Sequence, residues 1–252
     1  MPKDTHRLIN WFDQGGEAYA QFRPDYPPEL ATFLDSIAPD AGLALDVGCG
    51  NGQLTRQLAE HFAAVVGIDP SADQIANAAP HERIRYECAP AERLPLSDSC
   101  VSLITAAQAA HWFDLAAFYQ EVRRVAVPGG VLALISYGVL ELESDLAVRL
   151  RRFYCEEIGP YWPPERKLVD DGYRTLEFPF AEFAAPPLQI HRQWTLTELL
   201  GYISTWSAVR RAHAAGREDL LQVFADDLAD AWGSAERRRP LQWPIKIRIG
   251  TV

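Results

Sequence analysis

The chain alternates strand-length runs with stretches of helical period. LALDVG (43–48), AAVVGID (63–69), RIRYECA (83–89), VSLITAAQAA (101–110) and VLALISYG (131–138) read as strands. Between them, QLTRQLAEHF sets Leu54, Leu58 and Phe62 four residues apart on one helical face, and ADQIANAA is helical in pattern. A helix carrying EVRRV stops at ProGlyGly (128–130). Strands that are largely apolar on both faces and alternate with helices predict a parallel sheet covered on both sides. The fold class is α/β, doubly wound.

After residue 140 the pattern changes. Residues 141–154 read as a helix, whereas YWPPERKLVDDGYRTLEFPF (161–180) is rich in proline and aromatics, lacks a period, and is expected to form a lid. Residues 1–30 and 141–180 together are expected to make a mobile cover. A strand is expected over 182–194, then a helix from Thr195 to about Arg211 with Thr195 as N-cap and Glu198 three residues on, the capping-box pattern. PIKIRIG (244–250) alternates isoleucine with Lys246, Arg248 and Gly250, a strand with one buried face. Seven strands result.

The length of 252 residues suits one α/β domain with additions, and 48% hydrophobic with 23% charged residues is ordinary globular composition. The net charge of −10 has the wrong sign for gripping nucleic acid through phosphates, and no run reaches membrane-span or signal-peptide length. The expectation is therefore no nucleic-acid and no membrane partner. Cys49, Cys88, Cys100 and Cys155 form neither a metal knuckle nor a dense disulfide pattern, so no metal is expected and a reducing, cytoplasmic setting fits. The excess of arginine over lysine, with abundant alanine, suggests a bacterial genome. Arg237–Arg239 reads as a solvated helix end.

Candidate chemistry centres on Asp46-Val47-Gly48-Cys49-Gly50-Asn51-Gly52, between the first strand and the first helix, where open parallel sheets bind nucleotides. Glycines allow close approach of a ligand to the backbone. The dinucleotide pattern would need its third glycine at Gln53, so NAD does not fit. Asp46 would repel a pyrophosphate and attract an ammonium or sulfonium. Asp69 ends the second strand at about the 20-residue spacing at which an acid takes ribose hydroxyls. Together they describe a cationic nucleoside.

LALDVGCGNGQLTRQLAEHFAAVVGIDPS resembles motif I and the acidic second strand of class I S-adenosylmethionine-dependent methyltransferases, and AERLPL (91–96), VSLITAAQAAHWFD (101–114) and VRRVAVPGGVLALISYG (122–138) follow in that family's order. AYAQFRPDYPPEL (18–30), HWF (111–113) and the 161–180 segment are similar to the trans-aconitate methyltransferase branch, whose members act on small molecules. The resemblance implies a Rossmann-like, mostly parallel seven-stranded sheet with an antiparallel last strand. It also implies a single domain over 1–252: an N-terminal cap (1–39), an S-adenosylmethionine-binding core (40–140), a lid insert (141–181) and C-terminal strands and helix (182–252). The donor would be S-adenosylmethionine, the acceptor a small molecule, a carboxylic acid among the candidates, and the protein a monomer or homodimer. A non-catalytic module binding the donor or S-adenosylhomocysteine is the alternative.

Position by position, the resemblance implies that Asp46, Gly48, Gly50 and Gly52 hold the methionine part and Asp69 the ribose, with Pro70 and Gln74 beside it. Ala91 and Glu92 would meet the adenine edge, and the main chain at Gln108 or Ala109 the amino group. Pro90 and Gln74 stand where many members have aspartate and methionine. Trp112, Phe113, Tyr19, Tyr161 and Trp162 are candidates for ring contact with the sulfonium, or for packing alone. On the acceptor side the expected residues are His111, Tyr19, Arg23 and Trp162, with His111 as a base or an orienting group.

Overall fold

In the computed structural model, which describes residues 24–234 and 236–252, the five early runs form β1 (Leu43–Val47), β2 (Ala64–Asp69), β3 (Ile84–Cys88), β4 (Val101–Ala107) and β5 (Ala126–Tyr137). β5 starts before the 131–138 run because Ala126 already pairs with Val101; ProGlyGly falls in the register shift before Leu103 pairs with Val131, with Gly129 at a left-handed φ of 78°. The strand expected over 182–194 is two strands, β6 (Ala181–Phe183) and β7 (Leu188–Trp194). Pro186 and Pro187 lie between them and have no N–H to give a ladder. With β8 (Arg239–Thr251), this division makes eight strands among the described residues, where seven were expected.

The sheet runs β3-β2-β1-β4-β5-β8-β6, with β7 paired to β8 off this path. β1 to β5 are parallel, and β8 is antiparallel to β5 and β6. The chain reverses strand order on either side of β1, which opens a crevice at the carboxyl ends of β1 and β4. The helices are, in chain order, α1 (Pro28–Ile37), α2 (Gln53–Leu58), α3 (Ala72–Ala76), α4 (Leu115–Val125), α5 (Ser144–Arg152), α6 (Arg166–Asp170), α7 (Leu196–Ser204), α8 (Ser207–Ala214) and α9 (Asp219–Trp232). Among the described residues no helix is long and apolar enough to cross a membrane.

The chain divides into two compact units. A sheet unit holds Asp25–Glu141, Pro164–His191 and Gln242–Val252, and a helical unit includes Leu142–Pro163 and Arg192–Leu241. In the sheet unit α4 starts at the N-cap Asp114, whose side chain accepts from Ala117 N, and buries Phe118, Tyr119, Val122 and Val125. The segment expected as a lid falls in both units. Its 164–180 part packs on the sheet core: Val169 and Tyr173 are buried in it, and Phe178 and Phe180 lie edge-on to Tyr119. Here the aromatic content serves packing.

In the helical unit the Thr195 capping box forms as expected, with Glu198 N donating to Thr195 Oγ1 and Thr195 N to Glu198 Oε2. The helix does not reach Arg211 unbroken; it ends at Ser204 and restarts at Ser207. Ser204 and Thr205 turn their hydroxyls back to the carbonyls of Gly201 and Tyr202, and Trp206 adopts an extended backbone that buries its ring against Tyr154, Trp162 and Tyr202. Arg239 corrects the reading of a solvated basic run. It is 5% exposed, donates to the carbonyls of Ala231 and Trp232, and pairs with Glu143 and Asp145. The C-terminal end of α9 supplies carbonyls that a guanidinium satisfies.

Thr195→Ala removes the cap acceptor and should lower stability by about 1 kcal/mol, read as a reduced urea midpoint at unchanged slope. An unchanged midpoint would show that the box does not hold the helix.

Candidate active site

The glycine loop leaves β1 at Val47 and enters α2 at Gly52. Gly48 N and Cys49 N both donate to Ile68 O, at 2.8 and 2.9 Å, which ties the loop to the end of β2. Asp69, the last residue of β2, accepts from Gly50 N at 3.0 Å and from Ser71 N at 2.9 Å. Gly48 (φ 71°) and Gly52 (φ 89°) adopt left-handed backbone that favours glycine. A Cβ at Gly48 would overlap that of Ala109, and one at Gly52 would overlap the Tyr86 hydroxyl. Gly50 is more open, with Gln74 Oε1 3.8 Å from where a Cβ would stand.

Asp46 lies beneath this loop, 1% exposed. Thr55 Oγ1 of α2 donates to its Oδ2 at 2.7 Å, and Thr105 Oγ1 of β4 donates to its Oδ1 at 2.8 Å. Register makes the second contact inevitable, because Asp46 and Thr105 are direct partners in the β1–β4 ladder. Burial raises the Asp46 carboxyl to about 6, the threonine hydrogen bonds oppose the rise, and the Asp69 charge adds to it. Burial likewise holds the Cys49 thiol well above its ordinary value and pushes Tyr86 up to about 12, so neither is a ready nucleophile near neutral pH.

Past β4 the chain turns sharply. Gln108 has a left-handed φ of 56°, its N donates to Ile135 O, and its Nε2 donates to Tyr137 O at 2.8 Å. Ala109 follows against Gly48, and the Ala110–Trp112 turn carries His111, whose Nδ1 is 2.9 Å from the Tyr173 hydroxyl. Phe113 ring atoms lie 3.6 Å from where a Cβ on Gly48 would stand. Burial, then the charge of Arg166, lowers His111 to about 4, with Glu165 opposing.

Residues 45–134 match the methyltransferase domain family. A Dictyostelium discoideum protein named as a methyltransferase is 35% identical over 229 residues, 89% of this chain and 87% of its own length. The chain belongs to the methyltransferase family. A solved structure described as a type II methyltransferase from Anaeromyxobacter dehalogenans has a TM-score of 0.86 at 45% identity, covering 91% of this chain and 98% of that one. A Dechloromonas aromatica protein named malonyl-[acyl-carrier protein] O-methyltransferase is 38% identical over 112 residues, 43% of this chain and 41% of its own. This chain is a class I S-adenosylmethionine-dependent methyltransferase, and S-adenosylmethionine is its methyl donor.

The sheet unit of this methyltransferase brings together most of the donor-side residues expected from sequence: Asp46, Gly48, Gly50, Gly52, Asp69, Gln74 and Ala109 converge on one loop. Pro70 is exposed beside Asp69, and Ala91 is 5% exposed. Glu92 is occupied at one oxygen, Oε1 accepting from Asp114 N at 2.8 Å, so it also anchors the start of α4. Trp162 belongs to the helical unit, where its ring packs on Tyr154 and Trp206 and its Nε1 donates to Tyr154 O. Tyr19 and Arg23 lie outside the described residues. Sequence reading missed Thr55, Thr105, Tyr86 and Tyr173. Thr105 carried a signal, a hydroxyl inside the apolar run SLITAA; Tyr86 and Tyr173 carried none.

Asp46 gives a pH test. Its folded value of about 6 lies above the ordinary 3.8, so the folded state binds the extra proton in that window. That contribution to stability is present below about 4 and is lost as pH rises through 6. Asp46→Asn should therefore gain roughly 2 to 3 kcal/mol relative to wild type between pH 4 and pH 7 in denaturant titrations. A difference independent of pH would mean that Asp46 stays ionised throughout.

Proposed function

We propose that this methyltransferase transfers the methyl group to a small-molecule acceptor bearing a carboxylate. Arg166 brings a cation near this carboxyl-edge residue, His111, but it is shared with Glu165 and with Asp170, whose Oδ1 accepts from Arg166 Nε at 3.0 Å, so the observation that carries the acid reading is the likeness to a relative named for methylation on oxygen. The similarity to a relative named as an O-methyltransferase supports oxygen as the receiving atom, as does the resemblance of the HWF segment to the trans-aconitate branch. The net charge of −10 weighs against nucleic acid as acceptor.

The loop fits a sulfonium nucleoside. Its backbone is bare of Cβ atoms at Gly48, Gly50 and Gly52, and two carboxylates flank it, one buried below and one at the strand end. The donor supplies a methyl group already activated on a positively charged sulfur, so the protein has to align the reactants and exclude water. In this reading the loop glycines hold the methionine part and Asp46 contributes its field from beneath. Asp69 takes the ribose hydroxyls, exchanging part of its hold on Gly50 N, with Pro70 and Gln74 alongside. Ala91 and Glu92 face the adenine, and the main-chain carbonyl of Gln108 or Ala109 receives the amino group. Phe113, against Gly48, offers a ring to the sulfonium, a contact of roughly 0.5 to 2 kcal/mol. His111 orients the acceptor. All four cysteines are free, which supports a reducing, cytoplasmic setting, and the active form is a monomer or homodimer.

Incubation with methyl-labelled donor and a panel of small organic acids, amines and phenols should give label in base-labile esters. Label confined to macromolecules or amines, or donor binding without transfer to any class, would overturn the acid reading. Asp69→Ala should weaken donor binding by roughly 1 to 3 kcal/mol in calorimetry, about 5- to 150-fold; wild-type affinity would move the ribose site elsewhere. His111→Ala should lower kcat with donor Kd nearly unchanged, whereas a proportional loss of donor binding would make it part of the donor site.

A further inference from the structure

Tyr173 is 0% exposed and has φ +60°, directly after Gly172 at φ +64°. A bulky side chain is disfavoured in this region and persists only where its surroundings over-determine it. They do so here. Tyr173 N donates to Leu168 O at 2.8 Å, closing the end of α6. Arg248 of β8 donates to Tyr173 O at 3.1 Å and to Leu176 O at 2.6 Å, while Glu182 holds the guanidinium by two bonds at 3.0 and 2.8 Å. The result of this conformation is a phenol delivered to Nδ1 of His111 at 2.9 Å, the two rings stacked with centroids 6.0 Å apart.

The direction of that hydrogen bond follows from the oxygen's other neighbours. The backbone N–H groups of Ala110 and His111, which open the turn, face the Tyr173 oxygen. An oxygen turned toward amide donors has its own proton left for Nδ1, and an imidazole that accepts at Nδ1 carries its proton on Nε2. The charged groups acting on the ring are Arg166 and Glu165, and burial with Arg166 keeps it neutral. Nε2 has no hydrogen-bond partner among the described residues.

We infer that Tyr173 is a positioning residue that locks His111 as the neutral Nε2–H imidazole, so that His111 offers its site a hydrogen-bond donor and not a base. This rests on the reading of His111 as an acceptor-side residue. It narrows the acceptor class to nucleophiles that need no proton removed by His111, as a carboxylate does not.

Long-range proton–nitrogen NMR of the imidazoles in the full-length, nitrogen-15-labelled protein tests the lock without donor or acceptor, with His111 assigned by the signal lost in His111→Gln. Expected is the Nε2–H pattern, unchanged from pH 5 to 8; Tyr173→Phe, which leaves burial and Arg166 in place, should stay neutral over that range but give mixed tautomers. A wild-type His111 protonated on Nδ1, or titrating between pH 5 and 8, overturns the inference, as does a folded Tyr173→Phe with the wild-type pattern. Should that variant not fold, 3-fluorotyrosine incorporation keeps the ring and strengthens the phenol as donor: the Nδ1 resonance should move, and an unmoved one counts against the inference. These outcomes are independent of the function assay. A locked tautomer with no effect of His111→Ala on turnover would remove the acceptor role and leave the lock standing.

Discussion

The carboxyl edge of this methyltransferase's sheet depends on one buried carboxylate. Asp46 sits in the central strand with both oxygens taken by threonine hydroxyls, one from α2 and one from β4. Its burial carries a desolvation cost that two neutral donors offset only in part, which is why its carboxyl is pushed up to about 6. In exchange, three elements that meet at the carboxyl edge are fixed to one point. β1 delivers the glycine loop, α2 receives it, and β4 continues to Gln108 and His111. An apolar residue at 46 would pack the sheet well and leave these three without a common anchor.

The glycines above this anchor are not interchangeable. Gly48 makes room for Ala109, and Gly52 for the Tyr86 ring, which also lies on Gly67 of β2. Both answer to protein neighbours. Gly50 faces more open space and is held by Asp69, so at that position the missing side chain leaves room for a ligand. A pattern read from sequence as close approach to a nucleoside is thus in large part close approach of the protein to itself, and that internal fit sets the backbone a ligand would meet.

The sheet was legible because its strands are coded locally. Apolar runs, glycine exits, the alternation in PIKIRIG and the Thr195–Glu198 pair each act within a few residues, and each appears where its pattern places it. What escaped depends on partners distant in sequence. The break at Thr205–Trp206 comes from hydroxyls competing for helix carbonyls together with the burial of one tryptophan. Arg239 is buried because α9 ends in carbonyls beside it and Glu143 and Asp145 come from a segment nearly a hundred residues away. The aromatic residues of 164–180 were readable as unusual composition, but only the fold shows that they pack on α4.

Strain marks the site as clearly as charge does. Among the described residues three that are not glycine have left-handed φ, and two of them, Gln108 and Tyr173, bracket the turn that carries His111. Gln108 is fixed by hydrogen bonds to Ile135 O and Tyr137 O of β5, and Tyr173 by Leu168 and Arg248. Neither residue type favours that conformation, so local propensity opposes the arrangement and tertiary bonds impose it. A turn relaxed to ordinary backbone at both points would satisfy propensity and would lose the register between Ala109, which packs on Gly48, and His111, which packs on Tyr173. The conformational cost is therefore placed at Gln108 and Tyr173, on either side of the short turn that presents His111 at the carboxyl edge of the sheet.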